Sequence, residues 1–128
     1  MAGRVVHFEV PYDDVDRATS FYTDVFGWQL QGMPELDYHL AMTGPVGDQG
    51  MPEEPGFING GMFARVPDVS SPVITIDVDD IDAVLADVEA HGGALVRAKE
   101  PVGEMGFAAY FTDSEGNLLG LWQSATPV

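Results

Sequence analysis

The feature that most constrains this chain is a repeat. Arg4–Trp28, RVVHFEVPYDDVDRATSFYTDVFGW, matches Pro72–Leu95, PVITIDVDDIDAVLADVEAHGGAL, at a shift of 66 positions. His7-Phe8-Glu9-Val10 falls on Val73-Ile74-Thr75-Ile76, Asp13 to Asp16 on Asp79 to Asp82, and Gly27 on Gly93. Two copies of one strand-turn-helix unit in 128 residues imply an internally duplicated domain. The differences between the copies then point to function.

Each copy has the same physical logic. Val5 to Val10 is rich in β-branched and aromatic residues, which suit a pleated strand. Period-two alternation puts Val6, Phe8 and Val10 on one face, where they are expected to pack on the following helix. Val5, His7 and Glu9 occupy the other face. Asp13 or Asp14 caps that helix, and Asp16 adds a carboxylate to its positive end. Val15, Ala18, Phe21, Tyr22, Val25 and Phe26 recur at helical spacing, with Gly27 as the stop. In the second copy Ile74 and Ile76 form the buried strand face. Ile81, Val84, Leu85 and Val88 form the helix stripe, which ends at Gly92-Gly93. His91 in the last turn suits the negative end of the helix dipole, a structural role rather than a catalytic one.

Between the two helices, Trp28-Gln29-Leu30 begins a strand and Asp37 to Thr43 alternates again. Tyr38, Leu40 and Met42 share one side there, and His39 and Ala41 the other. Gly44 to Gly56 has no hydrophobic period and reads as a loop. Its glycine spacing resembles a phosphate loop, but it holds no Lys or Arg, and Asp48, Glu53 and Glu54 would repel phosphate. Phe57 to Val66 is a strand, with Asn59-Gly60-Gly61 marking a bulge or a close backbone approach. In the second copy Ala94 to Ala98 is a strand and Glu100 to Gly106 a loop. Phe107 to Thr112 and Leu118 to Gln123 are strands joined by Asp113 to Gly116. The expectation is a single α+β domain over 1–128 with two βαβββ units, about 1–67 and 72–126. Curved mixed sheets would carry their helices outside and a concave face inside.

Charge narrows the partners. Twenty-one Asp and Glu against five Lys and Arg give a net charge of −16, which repels nucleic acid and anionic membrane surfaces and attracts cations. No apolar run reaches the ~20 residues of a membrane helix. No cysteine is present, so thiol catalysis and thiolate metal sites are excluded. A cytoplasmic protein without a signal peptide is expected.

Three motifs together carry a family resemblance: the V-x-H-F-x-V strand, the D-D-x-x-x-A-x-x-F-Y-x-x-V-F-G-W helix and the final F-T-D-S-E-G-N-x-x-G-L-W hairpin. The chain resembles the vicinal oxygen chelate superfamily over essentially its whole length. That group includes glyoxalase I, the bleomycin- and fosfomycin-resistance proteins and the extradiol dioxygenases. The resemblance implies metal ligands at four matching positions, a His or similar residue in the first strand of each unit and a Glu or similar in the last. Here these positions fall on His7, on Val73, on Gly60 or Gly61, and on Gly120. Only His7 can ligate, so the usual metal site is dismantled.

Other chemistry remains open on the concave face. His7 and Glu9 lie about 7 Å apart along one strand, and His39 from a neighbouring strand is placed with them. A 2-His-1-carboxylate set can hold a divalent ion. The same His and Glu can serve in acid/base work, since a neighbouring carboxylate raises a His pKa. Pairing Thr112 with Asn117 puts Phe107 opposite Trp122, so both line the cleft near Thr75. Gly120 leaves space there, and Met105 folds over the opening. Three functions follow. The first is a metal-free small-molecule binding or sequestering protein whose ligand contacts are His7, Glu9, His39, Thr75, Met105, Phe107 and Trp122. The second is a metal-dependent lyase or dioxygenase rebuilt around His7, and the third a metal-free enzyme using His7 and Glu9. No cofactor is expected outside the second, and a homodimer is expected throughout.

Overall fold

The structure is a computed structural model and describes residues 3–47 and 51–125. Its elements run β1 (Arg4–Tyr12), α1 (Val15–Phe26), β2 (Gln29–Met33), a short 3-10 turn (Pro34–Leu36), β3 (Tyr38–Met42) and β4 (Gly60–Ala64). The second half repeats the order with β5 (Val73–Asp77), α2 (Ile81–Ala90), β6 (Ala94–Val102), β7 (Gly106–Thr112) and β8 (Leu118–Ser124). This is the α+β fold with two βαβββ modules that the repeat requires. The chain clusters into two units, His7–Pro72 and Met1–Val6 with Val73–Val128. Among the described residues no helix is long and apolar enough to cross a membrane.

In the His7–Pro72 unit the strand order is β2-β3-β4-β1. β1 pairs parallel with β4, Phe8 beside Gly60 and Glu9 beside Gly61, and β3 runs antiparallel to β4 with Leu40 opposite Gly61. Asp14, not Asp13, caps α1, its carboxylate accepting from the Arg17 N–H at 3.0 Å. Asp13 instead meets Arg65 at 2.9 Å. Gly27 ends the helix at φ 72°, a conformation that costs glycine little. The apolar stripe of α1 does not bury as the pattern predicts. No α1 residue is buried, and Phe21, Val25 and Phe26 stand 52%, 56% and 60% exposed. Phe8 reaches the helix through Trp28, 5.5 Å away, which stacks on Tyr22 at 4.7 Å. Aromatic stacking along the helix edge replaces insertion of the stripe into a core.

The other unit has the order β5-β8-β7-β6 and a packed core. Ile81 and Leu85 of α2 bury against Ala109, Phe111 and Leu121, with Ile76, Val84 and Val88 around them. Ile74, expected to be buried, is half exposed. β6 runs three residues into the segment expected to be a loop, pairing Glu100 with Ala108 and Pro101 with Phe107. Proline is tolerated there because β6 is the last strand of the order, where one side of the backbone needs no ladder partner.

Candidate small-molecule site

In the His7–Pro72 unit the alternation of β1 and β3 decides which side chains meet. Tyr38, from the face shared with Leu40 and Met42, reaches across β4 to β1. Its hydroxyl donates to Glu9 Oε2 at 2.8 Å and lies 2.7 Å from His7 Nε2. The His7 and Tyr38 rings are near-parallel, with centroids 6.4 Å apart. Gly61 makes this possible: a methyl group there would collide with the Tyr38 hydroxyl and ring. Glycine is required for that close approach. Glu9 is only 8% exposed, and a buried carboxylate must be hydrogen-bonded, which Tyr38 provides.

His39 does not join this group. One residue on from Tyr38, it points to the opposite face, where it meets Tyr12 edge-on at 6.0 Å and its Nδ1 is buried without a partner. His7 also departs from expectation. Glu9 does push its pKa up, but burial outweighs that and holds it below the usual histidine value, so the imidazole favours its neutral form.

The corresponding face of the second unit carries Val73 and Thr75 where the first carries His7 and Glu9, with Tyr110 opposite Gly120. Thr75 lies beside Gly120 and Asp77 beside Trp122, while Trp122 is opposite Ala108. Phe107 is opposite Gln123, not Trp122, because Thr112 pairs with Leu118 and the turn is one residue longer than expected. Asp113 spans it, accepting from the Glu115 and Asn117 N–H groups. That one-residue slip sends Phe107 to the helix side, where it packs on the α2 core with the Lys99 ammonium 4.5 Å from its ring. Trp122 keeps the expected face and covers Gly106, where a methyl group would meet its ring at 2.6 Å. The space expected at Gly120 is filled: a methyl there would meet Thr75 Oγ1 at 3.0 Å and Val73 at 3.4 Å. Thr75 is 6% exposed, and Met105 sits exposed in the β6–β7 turn.

The register also fixes the equivalence of the two units. Glu9 beside Gly61 corresponds to Thr75 beside Gly120 at the 66-residue shift, so Gly61, not Gly60, is the first unit's carboxylate position. The four positions thus carry His7, Gly61, Val73 and Gly120, and Tyr38 fills the space at the second. Among the described residues no three His, Cys, Asp or Glu side chains converge as a metal would require. These donors do not fit the ion that the resemblance implies. Tyr38 is the residue the sequence reading missed. Its signal was Gly60-Gly61 on the strand next to β3, which leaves room for one large side chain.

Comparison with known proteins agrees with the fold. Residues 4–44 match the model of the bleomycin resistance protein-like N-terminal family. A probable lactoylglutathione lyase of Vibrio parahaemolyticus is 34% identical over 128 residues, covering 95% of this chain and 91% of its own. A methylmalonyl-CoA epimerase of Streptomyces coelicolor, solved with 2-nitronate-propionyl-CoA, superposes with a TM-score of 0.63 at 19% identity, covering 98% of this chain and all of its own. A glyoxalase/bleomycin resistance protein/dioxygenase superfamily member of Vibrio splendidus gives 0.59 at 19%, covering 96% and 99%. The duplicated βαβββ architecture defines the class. The chain belongs to the vicinal oxygen chelate superfamily, with distant homologues among the glyoxalases.

Proposed function

We propose that this chain binds a small organic molecule on the sheet face carrying His7, Tyr38 and Glu9, without the metal site of the wider family. The Tyr38 hydroxyl carries this proposal. It occupies the side-chain space at Gly61 and ties both polar groups of β1 into a hydrogen-bonded set. A polar cluster beside Leu40 and Met42 has the mixed character of a small-molecule site. The likeness to an epimerase solved with a CoA ligand supports the small-molecule class and does not name the ligand. The test is metal analysis of tag-free protein followed by a fragment screen read by NMR. Stoichiometric bound metal, or fragments that never perturb His7 and Tyr38, would overturn the proposal.

A second reading, metal-free proton transfer, has one observation in its favour. Burial keeps His7 in the neutral, proton-accepting form. Turnover assays on any ligand found would separate the two. In either case the functional species is a homodimer in the cytoplasm. The uncovered Phe21, Val25 and Phe26 support association, and sedimentation showing only monomer at micromolar concentration would refute it.

A further inference from the structure

The hydrogen bonds among the three side chains on this face set the tautomer of His7. Tyr38 has one hydroxyl proton, and it goes to Glu9 Oε2, because a carboxylate can only accept. The Tyr38 oxygen can then meet His7 Nε2 at 2.7 Å only as an acceptor, so Nε2 must carry a proton. In a neutral imidazole only one nitrogen is protonated, which leaves Nδ1 with a bare lone pair. No described residue donates to His7 Nδ1. The atoms sealed without a partner are His39 Nδ1 and Asn59 Nδ2, and His7 Nδ1 is not one of them.

We infer that Glu9 and Tyr38 act as positioning residues that lock His7 as a hydrogen-bond acceptor, so the site selects ligands presenting an N–H or O–H donor and rejects anions. The inference rests on the binding role proposed above. Two further observations point the same way. Glu9 places a carboxylate on this face, and the chain carries a net charge of −16, so an anion meets a repulsive field both locally and at long range. A ligand offering only acceptors would meet the bare lone pair of Nδ1 and leave both groups unsatisfied. Specificity then comes from repulsion as well as from attraction.

Three probes of one shape isolate the chemistry: benzamidine, a cationic donor; benzamide, a neutral donor; and benzoate, an anion with acceptors only. Each is titrated into the full chain with ¹⁵N detection of the His7 ring nitrogens. The free protein is expected to show the Nε2–H tautomer. Benzamidine, benzamide or both are expected to shift Nδ1, with benzoate at least tenfold weaker. Benzamidine alone would identify the donor as cationic, and binding of benzamide would show that charge is unnecessary. Tyr38→Phe removes the relay, so in a folded variant the tautomers mix and donor affinity falls on the order of tenfold, the effect of about one hydrogen bond. The unmodified protein provides an independent check if that variant unfolds. An Nδ1–H tautomer, benzoate binding as tightly as the donors, or none of the three perturbing His7 would overturn the inference. Fragments of other chemistry on this face would then leave the binding role standing. A face that takes no fragment would remove both.

Discussion

The two units share a pattern and solve opposite problems. In the second, α2 inserts Ile81 and Leu85 into a core with Ala109, Phe111 and Leu121, and the sheet face equivalent to the site is closed by Thr75, Val73 and Trp122. In the first, no residue of α1 is fully buried, while the sheet face holds Glu9 and His7 in hydrogen bonds to Tyr38. Duplication has thus separated stability from chemistry. The copy with better packing has Val73 and Thr75 in place of His7 and Glu9, and the copy with the hydrogen-bonded His and Glu leaves Phe21, Val25 and Phe26 of its helix exposed. A polar set costs desolvation, which a chain can carry more readily when its other half has a conventional core.

The sharpest way to break this contrast is to truncate one helix residue in each unit. Ile81→Ala deletes a fully buried side chain and is expected to cost about 2–5 kcal/mol. Phe21→Ala removes a side chain that is half exposed and is expected to cost below about 1 kcal/mol. Urea unfolding of both variants measures the difference directly. Equal losses would mean that α1 is seated more deeply than its exposure indicates, as burial against a second copy would produce.

A second pair tests the two sheet faces. Tyr38→Phe takes from Glu9 one of its hydrogen-bond donors and should destabilise by about 1–3 kcal/mol. Thr75→Val, at the position equivalent to Glu9, keeps shape while removing one buried hydroxyl and should stay within about 1 kcal/mol of the parent. If Tyr38→Phe proved silent in unfolding experiments, Glu9 would be held by other groups and Tyr38 would be free to serve ligand contacts alone.

The parts of this architecture legible in sequence were those set by local chemistry. Both helices form within a residue or two of where the aspartate pairs and the apolar spacing place them, with Asp14 and Asp80 as the caps, because capping and periodicity act over a few residues. The site was half legible. Alternation put His7 and Glu9 on one face, yet β3 offered two faces, and chemical analogy favoured His39 where Tyr38 actually arrives. Cross-strand register is not written locally. It depended on the glycine at 61, which admits the Tyr38 ring, and on the five-residue span from Asp113 to Asn117. That span moved Phe107 to the other side of its sheet. The bare stripe of α1 was not legible either, since amphipathicity states what a helix can bury and not what will cover it.

The pH dependence should also separate the halves. Burial holds His7 below its ordinary 6.5 despite the opposing pull of Glu9. The unfolded chain therefore binds the proton more readily, and stability rises with pH through this window. The contribution is fully present above 6.5 and disappears as pH falls through the folded-state value. NMR titration should place the His7 midpoint below 6.5, and His7→Gln should flatten the acid limb of a stability–pH curve. A midpoint above 6.5 would show that Glu9 dominates and that His7 is cationic at the site near neutral pH.

The smallest effect belongs to the connections. The first unit joins β3 to β4 through a long segment, whereas the second closes β7 on β8 with a turn organised by one side chain. Asp113 accepts from the Glu115 N–H at 2.8 Å, the Asn117 N–H at 2.9 Å and the Asn117 side-chain amide at 3.1 Å. Chiefly through the Asn117 backbone, these bonds hold the Asp113 carboxyl below its ordinary 3.8. A depressed carboxyl pKa contributes stability above the unfolded value and loses it as pH falls through the folded one. Full exposure to solvent keeps that contribution small. The clean readout is therefore local. The ¹³C carboxyl titration of Asp113 should have its midpoint below 3.8, and Asp113→Ala should speed amide exchange at Glu115 and Asn117. Exchange elsewhere in β7 and β8 should change little, because Thr112 to Leu118 pairing is backed by the core of α2. Loss of protection along both strands would show instead that the turn sets the register, so that one aspartate decides which face Trp122 and Phe107 occupy.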